Sequence, residues 1–163
     1  MPTVSMTIII RKAQPSDTAR LAEIFLESRR LGFYWLDPER FQLEDFERQT
    51  QGEVVWVAEC NGELAGFISV EEEDAFIHHL FVAPGYQRSG IGRRLLQSLR
   101  TWLPTPYTLK CLTKNKRARA FYKKNNWRIV GEGRSGTGAY LVLVFGSLTP
   151  KTKQNPPPGL GEA

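Results

Sequence analysis

Residues 87–94 read QRSGIGRR and combine two glycines with three arginines at the point where an amphipathic helix is predicted to begin. The first backbone N–H groups of a helix have no partner within it, and the helix dipole adds partial positive charge there. Arg88, Arg93 and Arg94 increase that charge, which a bound anion would offset. The types and spacing of these residues therefore predict an anion-binding loop.

Gly90 and Gly92 are the two glycines of this loop. A glycine has no Cβ atom to keep a phosphate from the backbone amides, and it adopts a positive φ at little cost. Two common phosphate loops are excluded by spacing, because GxxxxGK[ST] is absent and GxGxxG would require glycine at Leu95. The alternative is that SGIG is only a turn from strand to helix and that the arginines are solvated.

Two adjacent histidines, His78 and His79, lie in the apolar run AFIHHLFV that precedes the loop. Imidazole titrates near neutral pH, which suits a general base. Successive side chains of a strand point to opposite faces, so we expect only one of the two histidines to face a given site. The alternative is that both are packed polar residues.

Composition bounds the class of protein. A chain of 163 residues fits one domain, which we expect at residues 1–149, followed by a disordered polar tail at 150–163. The net charge of +5 fits an anionic ligand, and no motif of a nucleic-acid-binding module is present. The sequence shows no membrane span and no signal peptide, which predicts a cytoplasmic protein. Cys60 and Cys111 are too few for a zinc site, and we expect no metal.

Hydrophobic periodicity and turn residues predict the element order βααβββαβαββ. Asn61-Gly62 predicts a type I′ hairpin turn, Asp37-Pro38 starts a second helix that reaches about residue 50, and Asn115 caps the last helix. The first helix is expected to end near Arg29. The strands are expected at 7–10, 54–60, 63–70, 75–82, 107–112, 127–133 and 139–148, and the longest apolar helix face at 91–102.

Two segments carry a resemblance to a known family. LFVAPGYQRSGIGRRLL resembles motif A of the GCN5-related N-acetyltransferase (GNAT) superfamily, [QR]-x-x-G-x-[GA] after a strand. NKRARAFYKKNNW resembles its second signature, N-x-x-A-x-x-F-Y-x-x-x-G-[FW], with Asn126 in the place of the usual glycine. Asparagine tolerates left-handed geometry, so we expect the helix to end there all the same. The resemblance covers roughly residues 7–148.

The resemblance implies an α/β (α+β) fold with a mixed central sheet, helices on both faces, and a splay between strands 75–82 and 107–112. It also implies acetyl-CoA as cosubstrate, with its pyrophosphate on the amides of residues 88–93 and its pantetheine arm along residues 80–82. The implied cofactor-binding residues are Leu80, Phe81, Val82, Gln87, Arg88, Ser89, Gly90, Ile91, Gly92, Arg93, Asn115 and Tyr122.

The resemblance further implies an N-acetyltransferase that transfers the acetyl group to a primary amine by direct attack, without an acyl-enzyme. A lysine-like amine is neutral only about once in 2,500 molecules at pH 7, so a base is required. Tyr122, His78 and His79 are the implied catalytic residues. Tyr122 would hydrogen-bond the thiolate and return its proton, and a strand amide near Phe81 would hold the oxyanion. In the family, residues of this strand that relay the amine proton occupy the alternate positions that here include Phe76 and His78. The resemblance therefore favours His78 as base or water relay.

Several alternatives stay open from the sequence. The chain could be a non-catalytic acyl-CoA-binding or regulatory module, and a basic nucleic-acid-binding domain is a weaker reading. The aromatic segment GFYWL at 32–36 either borders the acceptor site or only packs between helices. The acceptor is open between small molecules and proteins, and a homodimer is one of the assemblies that the sequence allows.

Overall fold

The computed structural model describes residues 6–148, and the predicted tail at 150–163 lies outside the described residues. The strands are β1 (Ile8–Lys12), β2 (Val54–Cys60), β3 (Glu63–Glu71), β4 (Phe76–Val82), β5 (Tyr107–Leu112), β6 (Arg128–Ser135) and β7 (Gly138–Phe145). The helices are α1 (Thr18–Gly32), α2 (Asp45–Gln49), α3 (Ile91–Ser98) and α4 (Lys116–Lys124). The predicted order βααβββαβαββ is confirmed.

The seven strands form one sheet in the order β1-β2-β3-β4-β5-β7-β6. Strands β4 and β5 are parallel and pair at only two positions, Phe76 with Thr108 and Ile77 with Leu109. The other neighbouring strands are antiparallel. Beyond Ile77 the two parallel strands diverge, so backbone groups on their facing edges have no strand partner. The expected mixed sheet and its splay are confirmed.

Helices cover both faces of the sheet, as expected. On one face α1 and α2 bury Ile24, Phe25 and Phe46 against Phe67. On the other face α3 and α4 bury their apolar sides, including Tyr122, against a core that contains Ile68. Neighbouring residues of β3 thus face opposite layers, because side chains alternate along a strand.

Local signals set several element boundaries. Asn61 and Gly62 both have positive φ, 52° and 84°, as a type I′ turn requires. The Asn115 side chain accepts a hydrogen bond from the Ala118 amide, which caps α4, and Asn126 has φ 71° where α4 ends. The described residues contain no helix of the length and hydropathy that crossing a membrane requires.

The helical region before β2 differs from the prediction. Helix α1 continues past Arg29 to Gly32. The predicted helix at 38–50 is instead a 3₁₀ turn at Pro38–Arg40, which Asp37 caps, and the short helix α2. The Asp45 carboxylate accepts the Gln42 amide and pairs with the buried Arg29, and this contact favours a new start at α2 over a continuous helix.

Candidate active site

The loop between β4 and α3 has the backbone geometry of an anion site. Arg88 and Gly90 adopt left-handed φ values of 65° and 84°, and Gly90 is the N-cap of α3. No side chain caps this helix end. Alternation of right- and left-handed residues before an uncapped helix directs successive N–H groups to one point, where they can bind an anion.

The two glycines of the loop act differently. A Cβ atom at Gly90 would meet no heavy atom within 4 Å. Glycine is therefore favoured at this position by its positive φ and by the open space beside it. A Cβ atom at Gly92 would lie 3.2 Å from Cζ of Phe121. Gly92 thus also makes room for the Phe121 ring of α4, and its role at the phosphate stays a prediction.

A cavity of about 1300 Å³ runs from this loop between α3 and α4 to the splay of the sheet. All of the predicted cofactor-binding residues line it except Ser89, namely Leu80, Phe81, Val82, Gln87, Arg88, Gly90, Ile91, Gly92, Arg93, Asn115 and Tyr122. The Ser89 hydroxyl instead donates to the Tyr86 carbonyl. Arg94, predicted to add charge at the loop, turns away and donates to the Ile8 carbonyl.

The cavity wall carries more positive charge than the loop alone. Arg117 of α4 donates to the Gln87 side chain and so joins the two motifs across the cavity. The other cationic lining residues outside the loop are Arg100, Lys114, Lys116 and Lys124. A wall of this charge suits a ligand with several phosphate charges.

Tyr122 is the aromatic residue that the second motif singled out, and it is buried to 2% exposure. Its ring packs edge-on against Phe121 and Trp127, and it lines the cavity. Burial raises its pKa well above the usual value for tyrosine, so the phenol keeps its proton and can donate a hydrogen bond.

A β-bulge changes the expected placement of the two histidines. Ser69 of β3 lies opposite His79 and Val70 lies opposite Ile77, which leaves His78 as an extra residue in β4. A bulge re-aims the side chain that it displaces. The His78 and His79 rings therefore lie 6.2 Å apart instead of on opposite faces. The regular alternation of the two side chains is therefore not kept at this bulge, and which histidine faces an acceptor stays a prediction.

His79 lies deep in the layer beneath α1. It is 1% exposed, its ring stacks on Phe25 at 4.7 Å, and neither ring nitrogen has a hydrogen-bond partner among the described residues. Burial, together with His78 and Arg29, lowers its pKa well below the usual value. The ring is therefore neutral, and it does not line the cavity.

His78 contacts a carboxylate that the sequence did not reveal. Its Nδ1 lies 3.1 Å from Oε2 of Glu53, and both side chains are largely buried. Burial raises the pKa of Glu53 to about 7, with a further contribution from Glu71. Burial and the nearby Lys110 lower the pKa of His78. Glu53 thus titrates near neutral pH in contact with His78, and this is the range in which a general base works best.

The aromatic segment at 32–36 is divided between the core and the cavity, and its contact with an acceptor stays a prediction. Phe33 is 1% exposed and packs against Phe41 and Phe81. Tyr34 is 80% exposed, and both it and Trp35 line the outer end of the cavity. The segment therefore contributes to the core and borders the site.

Comparison with known proteins agrees with this geometry. Residues 18–127 match the model of the Acetyltransferase (GNAT) family. The chain is 34% identical to the peptidyl-lysine N-acetyltransferase YiaC of Escherichia coli over 128 residues, which are 75% of this chain and 84% of that protein.

Two solved structures share the fold. The apo form of YjaB from Escherichia coli superposes with a TM-score of 0.72 at 25% identity and covers 85% of this chain and 97% of its own. The PaiA N-acetyltransferase of Thermoplasma acidophilum, solved with coenzyme A, superposes with a TM-score of 0.69 at 20% identity, over 83% of this chain and 98% of its own. The chain belongs to the GNAT family of acetyltransferases and is an acetyl-CoA-dependent acyltransferase.

Proposed function

We propose that this protein transfers the acetyl group of acetyl-CoA to a primary amine by direct attack in the splay between β4 and β5. One observation supports this most strongly: a single cavity joins the anion-binding loop to the buried hydroxyl of Tyr122. The pyrophosphate and the thioester of acetyl-CoA are far apart in one molecule, so its binding site must be a continuous cavity.

The residues of the cavity fit the parts of acetyl-CoA. The amides of Arg88 to Arg93 and the cations around them would bind the phosphates. The edge of β4 at Leu80 to Val82 has no strand partner on the β5 side, so its backbone groups can bind an amide-bearing arm as an added strand would. Asn115 lines the same cavity, although its side chain already caps α4.

Direct attack is favoured over an acyl-enzyme by the state of the nearest thiol. Cys111 lies beside Tyr122 and is fully buried, and burial raises the pKa of its thiol to about 12. A thiol attacks a thioester as the thiolate, so Cys111 is inert at neutral pH. The acceptor amine is then the nucleophile that meets the acetyl group.

Tyr122 would stabilise the departing sulfur. The ordinary pKa of a thiol is about 8.5, below that of a phenol, and burial increases the difference. Complete proton transfer from Tyr122 to the thiolate is therefore uphill. We infer that its main contribution is a hydrogen bond to the thiolate, which lowers the free energy of the step that breaks the C–S bond.

His78 would accept the proton of the amine. With Glu53 ionised, the carboxylate accepts a hydrogen bond from Nδ1–H, and Nε2 of the neutral ring carries the lone pair that takes a proton. His78 does not line the cavity, so we propose that one water relays the proton. His79 has no such carboxylate, and we propose a packing role for it.

We also propose a class of acceptor amine. YiaC is named a peptidyl-lysine N-acetyltransferase, and a lysine side chain is one candidate acceptor for this chain as well. The exposed Tyr34 and Leu31 at the mouth of the cavity would then contact the polypeptide that carries it.

The test is release of CoA thiol from acetyl-CoA with a panel of lysine peptides, amino acids and small amines, together with thermal melting in acetyl-CoA. We expect ligand at about 100 times its Kd to stabilise the fold by about 2.7 kcal/mol, a rise of several degrees in Tm, and thiol release with at least one amine. A rise in Tm without thiol release on any acceptor indicates a non-catalytic acyl-CoA-binding module. No rise in Tm contradicts both assignments.

A further inference from the structure

Lys110 is a buried cation that the proposed chemistry leaves without a role. It follows Leu109, the last residue of β5 that pairs with β4, and therefore lies at the fork of the splay. The residue is only 8% exposed. Its side chain shares a face of the sheet with Leu112 and Tyr140, because the register pairs Lys110 with Val142 and Leu112 with Tyr140.

The surroundings of this ammonium offer only partial compensation. Its Nζ lies 4.6 Å from the centre of the Tyr140 ring, a cation–π contact. Within residues 6–148 it forms no ion pair and no hydrogen bond. A largely buried cation without an anionic partner is only partly compensated, so a ligand anion that reaches this ammonium would be bound favourably.

Lys110 lies on the same face of the sheet as the proposed base. It is close enough to His78 to lower the pKa of that imidazole. On the other side of His78 lies the carboxylate of Glu53, with Glu71 near it. His78 thus has the Glu53 carboxylate within 3.1 Å and the Lys110 cation close by, next to the position where β4 and β5 stop pairing.

This arrangement is complementary to a ligand that carries both a protonated amine and an anionic group. The carboxylates attract a protonated amine toward His78, and Lys110 attracts an anion beside it. The hydrophobic cluster of Phe33, Phe41 and Leu112, against which Tyr140 packs, offers an apolar wall next to the cation.

We propose that the amine acceptor carries a carboxylate or phosphate group a few atoms from its amine, and that Lys110 binds this group. The inference rests on the proposed acetyl transfer, and it favours a small amine with an anionic group over the peptide lysine considered above. Lys110 is thus a specificity-determining residue, and an amine without an anionic group is a poorer substrate.

The test compares matched acceptors in wild type and Lys110→Met. One pair is L-phenylalanine and L-phenylalaninamide, which differ in the carboxylate, and the other is O-phosphoethanolamine and ethanolamine. The ratio of kcat/KM within a pair is compared between the two enzymes, which cancels the different pKa values of the amines. We expect the preference for the anionic member to fall by roughly tenfold to hundredfold, as for loss of a hydrogen bond to a charged group.

Two control variants separate this role from a structural one. Lys110→Arg keeps the cation and should keep most of the preference. Lys12→Met makes the same substitution at an exposed position of β1, at the opposite edge of the sheet, and should leave the ratio unchanged. Because methionine removes an unpaired buried charge, Lys110→Met should melt at or above the wild-type temperature, and a lower Tm together with an unchanged ratio contradicts the proposal.

Binding is measured separately, so that failure of acetyl transfer can be distinguished from failure of the Lys110 assignment. Wild type and Lys110→Met are melted in CoA with N-acetyl-L-phenylalanine or its amide. If N-acetyl-L-phenylalanine raises the Tm of wild type but not that of Lys110→Met, the anion site is supported. This holds even if no amine causes release of CoA thiol from acetyl-CoA. The anion site at Lys110 is overturned if both compounds change the Tm of both proteins equally. It is also overturned if the kcat/KM ratios in both acceptor pairs are unchanged. The pair that shows the preference identifies carboxylate or phosphate as the natural group.

Discussion

At the scale of single residues, the site depends on groups held in unfavourable surroundings. Tyr122 is only 2% exposed and burial raises its pKa, and Glu53 keeps a carboxyl group largely out of water. Such groups lower stability unless a ligand satisfies them. Perturbed titratable groups at a cavity are typical of functional sites, and their cost to the fold can be measured.

Tyr122→Phe removes the hydroxyl and keeps the ring that fills the core. We expect kcat to fall by roughly ten- to a hundredfold, because the departing sulfur loses one hydrogen bond. The stabilisation by acetyl-CoA should change little, since the phosphates bind elsewhere in the cavity. Steady-state kinetics and melting curves measure the two effects, and an unchanged kcat would remove Tyr122 from the reaction.

Glu53→Gln tests the carboxylate that holds His78. Burial raises the folded-state pKa of Glu53 from 4.5 to about 7, so the folded protein binds more protons than the unfolded chain between these values, and stability falls as pH rises through this range. Glutamine cannot ionise, and we expect Glu53→Gln to be more stable than wild type at pH 8, by about 1–3 kcal/mol.

The same variant should lose activity. In wild type kcat/KM should rise with pH through an apparent pKa near 7, as the Glu53–His78 pair loses its proton, and this rise should shift or disappear in Glu53→Gln. Urea unfolding at pH 5 and pH 8 and a pH–rate profile are the measurements. Equal stability of both proteins at pH 8, with an unshifted profile, would show that Glu53 titrates normally.

At the scale of elements, the proposed cofactor site is formed where regular helices and strand pairing end. The loop after β4 exposes the amides of α3, and the divergence of β4 from β5 exposes strand edges. The bulge in β4 then brings His78 toward the layer that contains Glu53. Each of these irregularities leaves polar groups available for binding that a regular sheet or helix would satisfy internally.

Two glycines of one loop form a matched pair for testing the anion site. Gly85 and Gly90 both have positive φ, 94° and 84°, and a Cβ atom at either would meet no heavy atom within 4 Å. Only Gly90 lines the cavity. Alanine at either position should lower stability by about 1–2 kcal/mol through backbone strain.

The two alanine variants should differ when ligand is added. Gly85→Ala should keep the rise in Tm caused by acetyl-CoA, whereas Gly90→Ala should lose most of it. Melting curves with and without acetyl-CoA separate backbone strain from blocked binding. Equal ligand-induced shifts in the two variants would show that the pyrophosphate lies elsewhere.

At the scale of the whole molecule, the scaffold follows from local rules and the site only in part. The Asn61-Gly62 turn and the Asn115 cap are set by neighbouring residues, so the sequence predicts them. The length of α2 depends on Asp45 reaching the distant Arg29, which no local pattern shows. The bulge at His78 likewise depends on how β3 pairs with β4.

The same distinction explains what was missed in the site. The motifs specify the loop and Tyr122 because their residues are contiguous in sequence. Glu53 meets His78 only after β2, β3 and β4 form the sheet, and the Lys110 ammonium meets the Tyr140 ring only after β5 pairs with β7. These contacts are products of topology, and a single sequence carries no separate signal for them.

The most direct test of the central proposal is a crystal structure of the complex with CoA. We expect the pyrophosphate on the amides of residues 88–93, the pantetheine arm along the free edge of β4, and the sulfur within hydrogen-bond distance of the Tyr122 hydroxyl. A CoA molecule whose sulfur lies outside the splay between β4 and β5, away from Tyr122, would contradict the account.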